Sequence, residues 1–261
     1  MRREDRETAS NVLAIPMHVA HDRARREDRE TASDVLAIPL YFIHNPSRRT
    51  SLAVSRLRRT PNMVAAYHLI WSAYGTWLPN DPRGSSSHEV RNSVLLEVGA
   101  LHHGRKRIQP CAADIRAFYH KAEPLLKHAV LRFDDDDIIR ISVAFADVVK
   151  NCGYTCYGCA IMWDHVHMCI RKHRHKAEEM IFNFQEASRS KFVEEGRRTS
   201  DHPVWGGPGW KVYLDTCDDI ERVIRYIEAN PSKAGWPAQK WPFVEQYDGW
   251  LPGIGATKKK P

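Results

Sequence analysis

From Met63 onward the apolar residues fall into two alternating rhythms, one of strands and one of helices. The segment MVAAYHLIWSAYGTW (63–77) is β-branched, aromatic and alternating, which predicts a strand. LPNDPRGSSS (78–87) is rich in Pro, Gly, Asn, Asp and Ser and predicts a loop. Ile115, Phe118, Tyr119 and Leu125 recur at helical spacing across 112–132. The run Asp134 to Asp137 opens a second helix reaching to about Lys150, because carboxylates are favoured at the positive end of the helix dipole. Residues 154–161 and 165–171 read as two strands joined by a tight turn, 177–195 as a third helix and 210–214 as a short strand. A fourth helix over 218–229 is expected to end at Asn230-Pro231, since a residue before proline avoids helical geometry. Mixed strands and helices with antiparallel neighbours predict an α+β fold, a small sheet carrying helices.

The first sixty residues do not share this patterning. RREDRETASNVLAIP (2–16) recurs as RREDRETASDVLAIP (25–39), with Asn11 against Asp34 as the one difference. Two short copies cannot make a solenoid, so a duplicated piece of coding sequence is the simpler account. The basic, Ser-rich 46–62 reads as a linker, and Met63 is the expected start of the patterned chain. Residues 1–62 are therefore expected to be disordered, or at least outside the core, with one domain over 63–250 and a basic tail over 251–261. The net charge is +7, but residues 1–60 hold 12 Arg or Lys against 8 Asp or Glu and so carry +4 of it. A nucleic-acid surface in the domain must then be a local patch. No apolar run approaches a membrane span and no signal-peptide stretch opens the chain, so a cytoplasmic protein without a membrane partner is expected.

The sharpest local feature is WDHVHMCI (163–170). On a strand, His165 and His167 face the same side while Val166 and Met168 face the other. Two imidazoles at this spacing can hold one divalent cation; the alternative is a pair of partly buried, hydrogen-bonded histidines. Fourteen histidines make His-x-His commonplace by itself. His173-Arg174-His175 has the same spacing around a charged residue and reads instead as a solvated turn or basic patch.

A second feature is IERVIRYIEANPSKAGW (220–236). Val223, Ile224 and Ile227 form an apolar stripe, while Tyr226 and Asn230 lie one turn apart on a common face. A phenol is a poor nucleophile at neutral pH and needs a strongly polarised electrophile. Basic residues follow the histidine strand (Arg171, Lys172, Arg174, Lys176) and the next helix (Arg189, Lys191, Arg197, Arg198), where they are either phosphate contacts or a solvated face. Trp205, Trp210 and Trp236 could stack bases or fill the core. Cys152, Cys156 and Cys159 fall one ligand short of a usual structural zinc set and read as reduced core cysteines.

Taken together, His165-Val166-His167 and Tyr226-Ile227-Glu228-Ala229-Asn230-Pro231, with Lys233-Ala234-Gly235 after it and Tyr67-His68-Leu69-Ile70-Trp71 before, resemble the HUH-type single-tyrosine transposases, including the REP-associated tyrosine transposases. Those commonly have Pro-Asp-His-Val-His, so Trp163 is a departure that alters the turn and leaves the histidines in place. The resemblance spans about 64–247. It implies a ferredoxin-like or RRM-like antiparallel sheet. It also implies Mg²⁺ or Mn²⁺ held by His165, His167 and Asn230, and attack by Tyr226 on single-stranded or hairpin DNA to leave a 5′-phosphotyrosine and a free 3′-OH. Arg171, Lys172, Arg174, Lys176, Arg189 and Lys191 would bind DNA. A site completed within one chain and one shared across a homodimer both remain open. So do two other functions: a DNA-binding protein of this fold that no longer cuts, and an unrelated metal-dependent hydrolase.

Overall fold

The computed structural model describes residues 63–253. The repeat-bearing extension expected at 1–62, and the basic tail beyond Gly253, lie outside the described residues. Among the described residues no helix is long and apolar enough to cross a membrane.

Four strands, β1 (Ala66–Ser72), β2 (Cys156–Ile161), β3 (His165–Arg171) and β4 (Trp210–Leu214), form one sheet in the order β2-β3-β1-β4, every neighbouring pair antiparallel. Between them run α1 (Ala112–Ala122), α2 (Asp135–Cys152) and α3 (Ala177–Glu194), with α4 (Cys217–Lys233) after the last strand. With α1 set aside as part of a long excursion, the path β1-α2-β2-β3-α3-β4 and this strand order are those of the ferredoxin-like split βαβ arrangement. The expectation of an α+β fold with an antiparallel, ferredoxin-like sheet therefore holds.

Alternation along the strands divides the core in two. Tyr67, Leu69 and Trp71 of β1 and Val166, Met168 and Ile170 of β3 pack with Ile141 and Phe145 of α2 and Met180, Ile181 and Phe184 of α3. On the opposite face Ala66, Cys169, Val212 and Leu214 meet Ile220, Val223 and Ile227 of α4. The fold is thus three layers, with α2 and α3 on one side of the sheet and α4 on the other.

Two helix ends depart from expectation. Residues 112–132 are not one helix: α1 stops at Ala122, and a short 3-10 turn (Glu123–Leu125) follows. Pro124 lacks the N–H that continuation needs and its ring clashes with the preceding turn. Conversely, α4 does not end before Asn230-Pro231 but runs through Pro231 to Lys233. Pro231 is buried, and the side-chain amide of Asn230 donates to the Tyr226 carbonyl at 2.9 Å, a bond within the last turns of the helix. Packing of the apolar stripe outweighs the local preference that predicted a stop.

The start of α2 is held by an ion-pair cluster. Asp134 caps the helix by accepting from the Asp137 N–H at 2.8 Å. The buried carboxylate of Asp137 accepts from Arg197 Nε at 3.0 Å and Nη2 at 2.8 Å, and from Arg198 Nη2 at 3.1 Å. Arg197 and Arg198, read from sequence as phosphate contacts or a solvated face, are thus tied to the fold. Because both guanidiniums keep some access to water, Asp137→Ala should cost about 2 kcal/mol, less than a fully buried pair would. A chemical-denaturation midpoint should fall accordingly; an unchanged midpoint would mean the cluster adds no net stability.

Candidate functional site

The site grows from one face of the two central strands. In the β1–β3 register Ser72 lies opposite His165, Ile70 opposite His167 and His68 opposite Cys169. The imidazoles of His165, His167 and His68 therefore share the face that α4 covers, with Tyr67, Leu69 and Trp71 directed into the other core layer. All three histidines are buried.

Their hydrogen bonds decide which ring nitrogens are available. His165 Nδ1 lies 2.6 Å from Asp164 Oδ1. An ionised carboxylate only accepts, so Nδ1 carries a proton, and in the neutral ring Nε2 is the lone-pair atom. His167 Nδ1 lies 3.0 Å from His68 Nε2. With His167 as donor in that contact, its Nε2 is likewise a lone-pair atom. The Nε2 atoms of His165 and His167 are both buried without a hydrogen-bond partner, and their rings stand 4.8 Å apart by centroid. Burial pulls the His68 pKa down to about 3. It pulls His167 well below the ordinary value too, reinforced by the charges of His165, His68 and Lys233. Burial thus favours the neutral form at His167, the form in which an imidazole can bind a cation.

Tyr226 reaches the same histidines from α4. Its ring centroid is 5.3 Å from that of His167 and 6.0 Å from that of His68, and its hydroxyl is buried without a partner. Burial raises the phenol pKa, while the Asn230 amide and the charge of Arg105 oppose the rise; the amide stands close without a hydrogen bond to the hydroxyl. Asn230 spends its amide nitrogen on the Tyr226 carbonyl, so its oxygen is the atom able to coordinate or accept. The Lys233 ammonium lies 5.0 Å from the centre of the Tyr226 ring.

The residues present suit a divalent cation. Two buried imidazole nitrogens without partners lie on one sheet face, each ring steered through its second nitrogen, and a carboxylate does the steering at His165. Among the described residues no group of three His, Cys, Asp or Glu converges that could hold a metal ion. Imidazole donors favour Mn²⁺ over the harder Mg²⁺. Asp164→Asn should weaken Mn²⁺ binding about tenfold or more, because an amide can donate to Nδ1 and favour the wrong tautomer. Calorimetry with Mn²⁺ measures this, and equal affinity in the variant would remove Asp164 from that role.

The remaining residues singled out from sequence are spread widely. Arg171 shares the histidine face but lies about 13 Å along β3 from His167, its guanidinium 3.6 Å over the Trp250 ring. Lys172, Arg174 and Lys176 follow it, exposed, at that far end of the strand. Arg189 and Lys191 belong to α3, across the sheet from the imidazoles; Arg189 pairs with Glu186 and Lys191 with Glu195. His173 and His175 are not a solvated turn. They are half-buried around Tyr154, whose hydroxyl is 2.8 Å from His175 Nδ1. Trp205 is core, its indole N–H donating to Ser188 Oγ at 3.0 Å. Trp210 and Trp236 pack partly buried beside the layer under α4. Cys156 and Cys159 are buried free thiols held protonated by burial, Cys156 pushed up to about 12, as core cysteines would be.

His68, Asp164 and Lys233 carry site geometry without having been assigned roles from sequence. His68 was within reach: once Tyr67, Leu69 and Trp71 are placed on the core face, alternation puts His68 on the face of the histidine pair.

No family model matches the chain, and no curated protein does. Solved structures similar to it include the following two. One is a REP-associated tyrosine transposase bound to a REP hairpin, 12% identical, covering 73% of this chain and 81% of that one with a TM-score of 0.37. The other is a candidate transposase from Deinococcus radiodurans R1, 14% identical, covering 67% and 96% with a TM-score of 0.27. Both are too distant to carry a function across to this chain.

Proposed function

We propose that this protein is a single-strand DNA transferase that cuts and rejoins DNA through Tyr226. The observation that carries the reading is the meeting, within one chain, of three buried atoms without hydrogen-bond partners: His165 Nε2, His167 Nε2 and the Tyr226 hydroxyl. Leaving such atoms unpaired is costly, and a site awaiting a cation and a substrate accounts for the cost. No second subunit is needed to bring them together.

In the proposed step the Tyr226 oxygen attacks a backbone phosphorus. An O–P bond forms to the tyrosine, the P–O3′ bond breaks, the phenol loses its proton and the departing 3′ oxygen gains one. The products are a 5′-phosphotyrosine and a free 3′-OH. Reversal by the same or another 3′-OH rejoins the strand without ATP, because the ester bond energy is conserved. Mg²⁺ or Mn²⁺ held by His165, His167 and Asn230 would supply Lewis-acid polarisation of a phosphate oxygen. His68 and Asp164 orient the two imidazoles, each through its Nδ1. Packing of α4 on β2 and β3 brings the phenol to the site and limits the water that could intercept the covalent intermediate.

The test is incubation of the full chain with end-labelled single-stranded hairpin DNA and Mn²⁺, followed by denaturing electrophoresis. A labelled species of protein mass, absent with chelator, is expected. Cleavage without any covalent species would favour a hydrolase instead, and binding without cleavage would favour a DNA-binding protein.

A further inference from the structure

At the end of the sheet where His165 lies, the chain between α1 and α2 threads across two turns. One is the hairpin turn Trp163-Asp164 between β2 and β3, closed by the Met162 N–H donating to the His165 carbonyl at 2.8 Å. The other follows β1, where the Ala73 N–H donates to the Asp164 carbonyl at 2.7 Å. Residues 131–133 cross both: the Leu131 N–H donates to the Tyr74 carbonyl at 2.9 Å, and the Phe133 N–H to the Trp163 carbonyl at 2.7 Å. Leu131 and Phe133 are buried in the core layer beneath α2 and α3, and Arg132 between them is exposed, the alternation of an extended segment.

This threading sets a cation and several rings in a row. The Arg132 guanidinium lies over the Trp163 ring, 4.5 Å from its centre, and among the described residues no carboxylate pairs with it. On the Tyr74 side, His128 and His202 gather round the phenol ring at centroid distances of 5.9 and 5.6 Å and stand 4.9 Å from each other. His202 is fixed by its Nδ1, 2.8 Å from the Pro203 carbonyl. Tyr74, His128, Trp163 and His202 are all half-buried, so each is anchored by the fold and keeps some surface open. Within the hairpin turn, Asp164 is buried against His165 Nδ1, whereas Trp163, the residue that departs from the motif this strand resembles, is left to Arg132. An exposed pair of this kind adds little to stability. It does hold a planar guanidinium flat, and flat cations and rings are what unpaired bases stack on.

We propose that Arg132 on Trp163, continued by Tyr74, His128 and His202, is a stacking surface for unpaired bases of single-stranded DNA. One base stacks on the outward plane of the guanidinium and its neighbour on the rings around Tyr74. The amides that bind the Tyr74 and Trp163 carbonyls are two residues apart, about 7 Å along an extended chain, which matches one step of a stretched single strand. That this strand leads to the scissile phosphate rests on the reading of His165 and Tyr226 as ligand and nucleophile; the stacking role does not.

The test uses the full chain carrying Tyr226→Phe, in which residue 226 cannot attack, and two probes of equal length: oligothymidylate, and an abasic oligomer with the same phosphates. The parent should bind oligothymidylate about tenfold or more tighter than the abasic oligomer. Trp163→Leu, which keeps an apolar group in the turn, should lose about tenfold toward oligothymidylate and almost nothing toward the abasic oligomer. Trp163→Phe should retain most of the affinity. Arg132→Lys keeps the charge and loses the plane, so oligothymidylate binding should weaken severalfold with its salt dependence unchanged. Arg132 is exposed, so this variant reads the surface even if a turn variant fails to fold. Failure of the parent to bind oligothymidylate, or equal parent affinity for the two probes, overturns the stacking surface. So does parent-like oligothymidylate binding by Trp163→Leu and Arg132→Lys, or an equal loss on both probes. If the base-dependent losses appear but the chain with Tyr226 restored makes no adduct, the stacking surface stands and the nucleophile assignment falls. An adduct together with unaltered binding in the variants gives the converse.

Discussion

Tyr226→Phe is expected to abolish the covalent protein–DNA adduct and the free 3′-OH product while leaving the protein at least as stable as before. The substitution removes one oxygen that is buried without a hydrogen-bond partner. It keeps the ring that meets His167 at 5.3 Å and His68 at 6.0 Å. Removing an unsatisfied buried hydroxyl is neutral or stabilising by about 1 kcal/mol, so the thermal midpoint should hold or rise. A structural tyrosine could give the same stability result, but it could not give total loss of the adduct with hairpin-DNA affinity unchanged within about twofold. Added Mn²⁺ should not rescue the variant, because more Lewis acid cannot replace a missing nucleophile. Persistence of the adduct would transfer the role to another tyrosine. Tyr213, on β4, and Tyr247, whose hydroxyl contacts Cys217 Sγ and the Trp250 carbonyl, are the next to test.

His165→Ala should stop cleavage by a different route. It takes away one of the two imidazole donors, and with it several kcal/mol of polarisation at the phosphate, about 10²-fold or more in rate. It also strips the Asp164 carboxylate of the ring N–H it accepts at 2.6 Å. A modest stability loss of about 1–3 kcal/mol should therefore accompany the loss of activity. His167 and Asn230 remain, so excess Mn²⁺ should recover part of the rate where Tyr226→Phe recovers none. Adduct formation titrated against Mn²⁺ in both variants reads this contrast directly. Full activity of His165→Ala at low Mn²⁺ would remove His165 from the ligand set.

The local geometry of the backbone made much of this legible from the chain alone. Alternation along 66–72 and 165–171 determines which side chains share a sheet face, so the pairing of His165 with His167 follows from their spacing. The 3.6-residue period likewise puts Tyr226 beside Asn230. Element positions followed for the same reason, except at two prolines: Pro124, passed over in the helical spacing of 112–132, did break a helix, and Pro231, read as a stop, did not, because burial of the α4 stripe outweighed the local penalty. Tertiary structure alone decided that α4 covers the histidine face, so that phenol and imidazoles meet in one chain. It also decided that Arg189 and Lys191 fall across the sheet, and that the loop read as turn-rich holds a buried Asp81–Arg83 pair. Facing within a strand or helix is settled by bonds a few residues long. Which face a helix covers depends on apolar surface contributed by residues far apart in the chain, and that surface takes shape only when the sheet has formed.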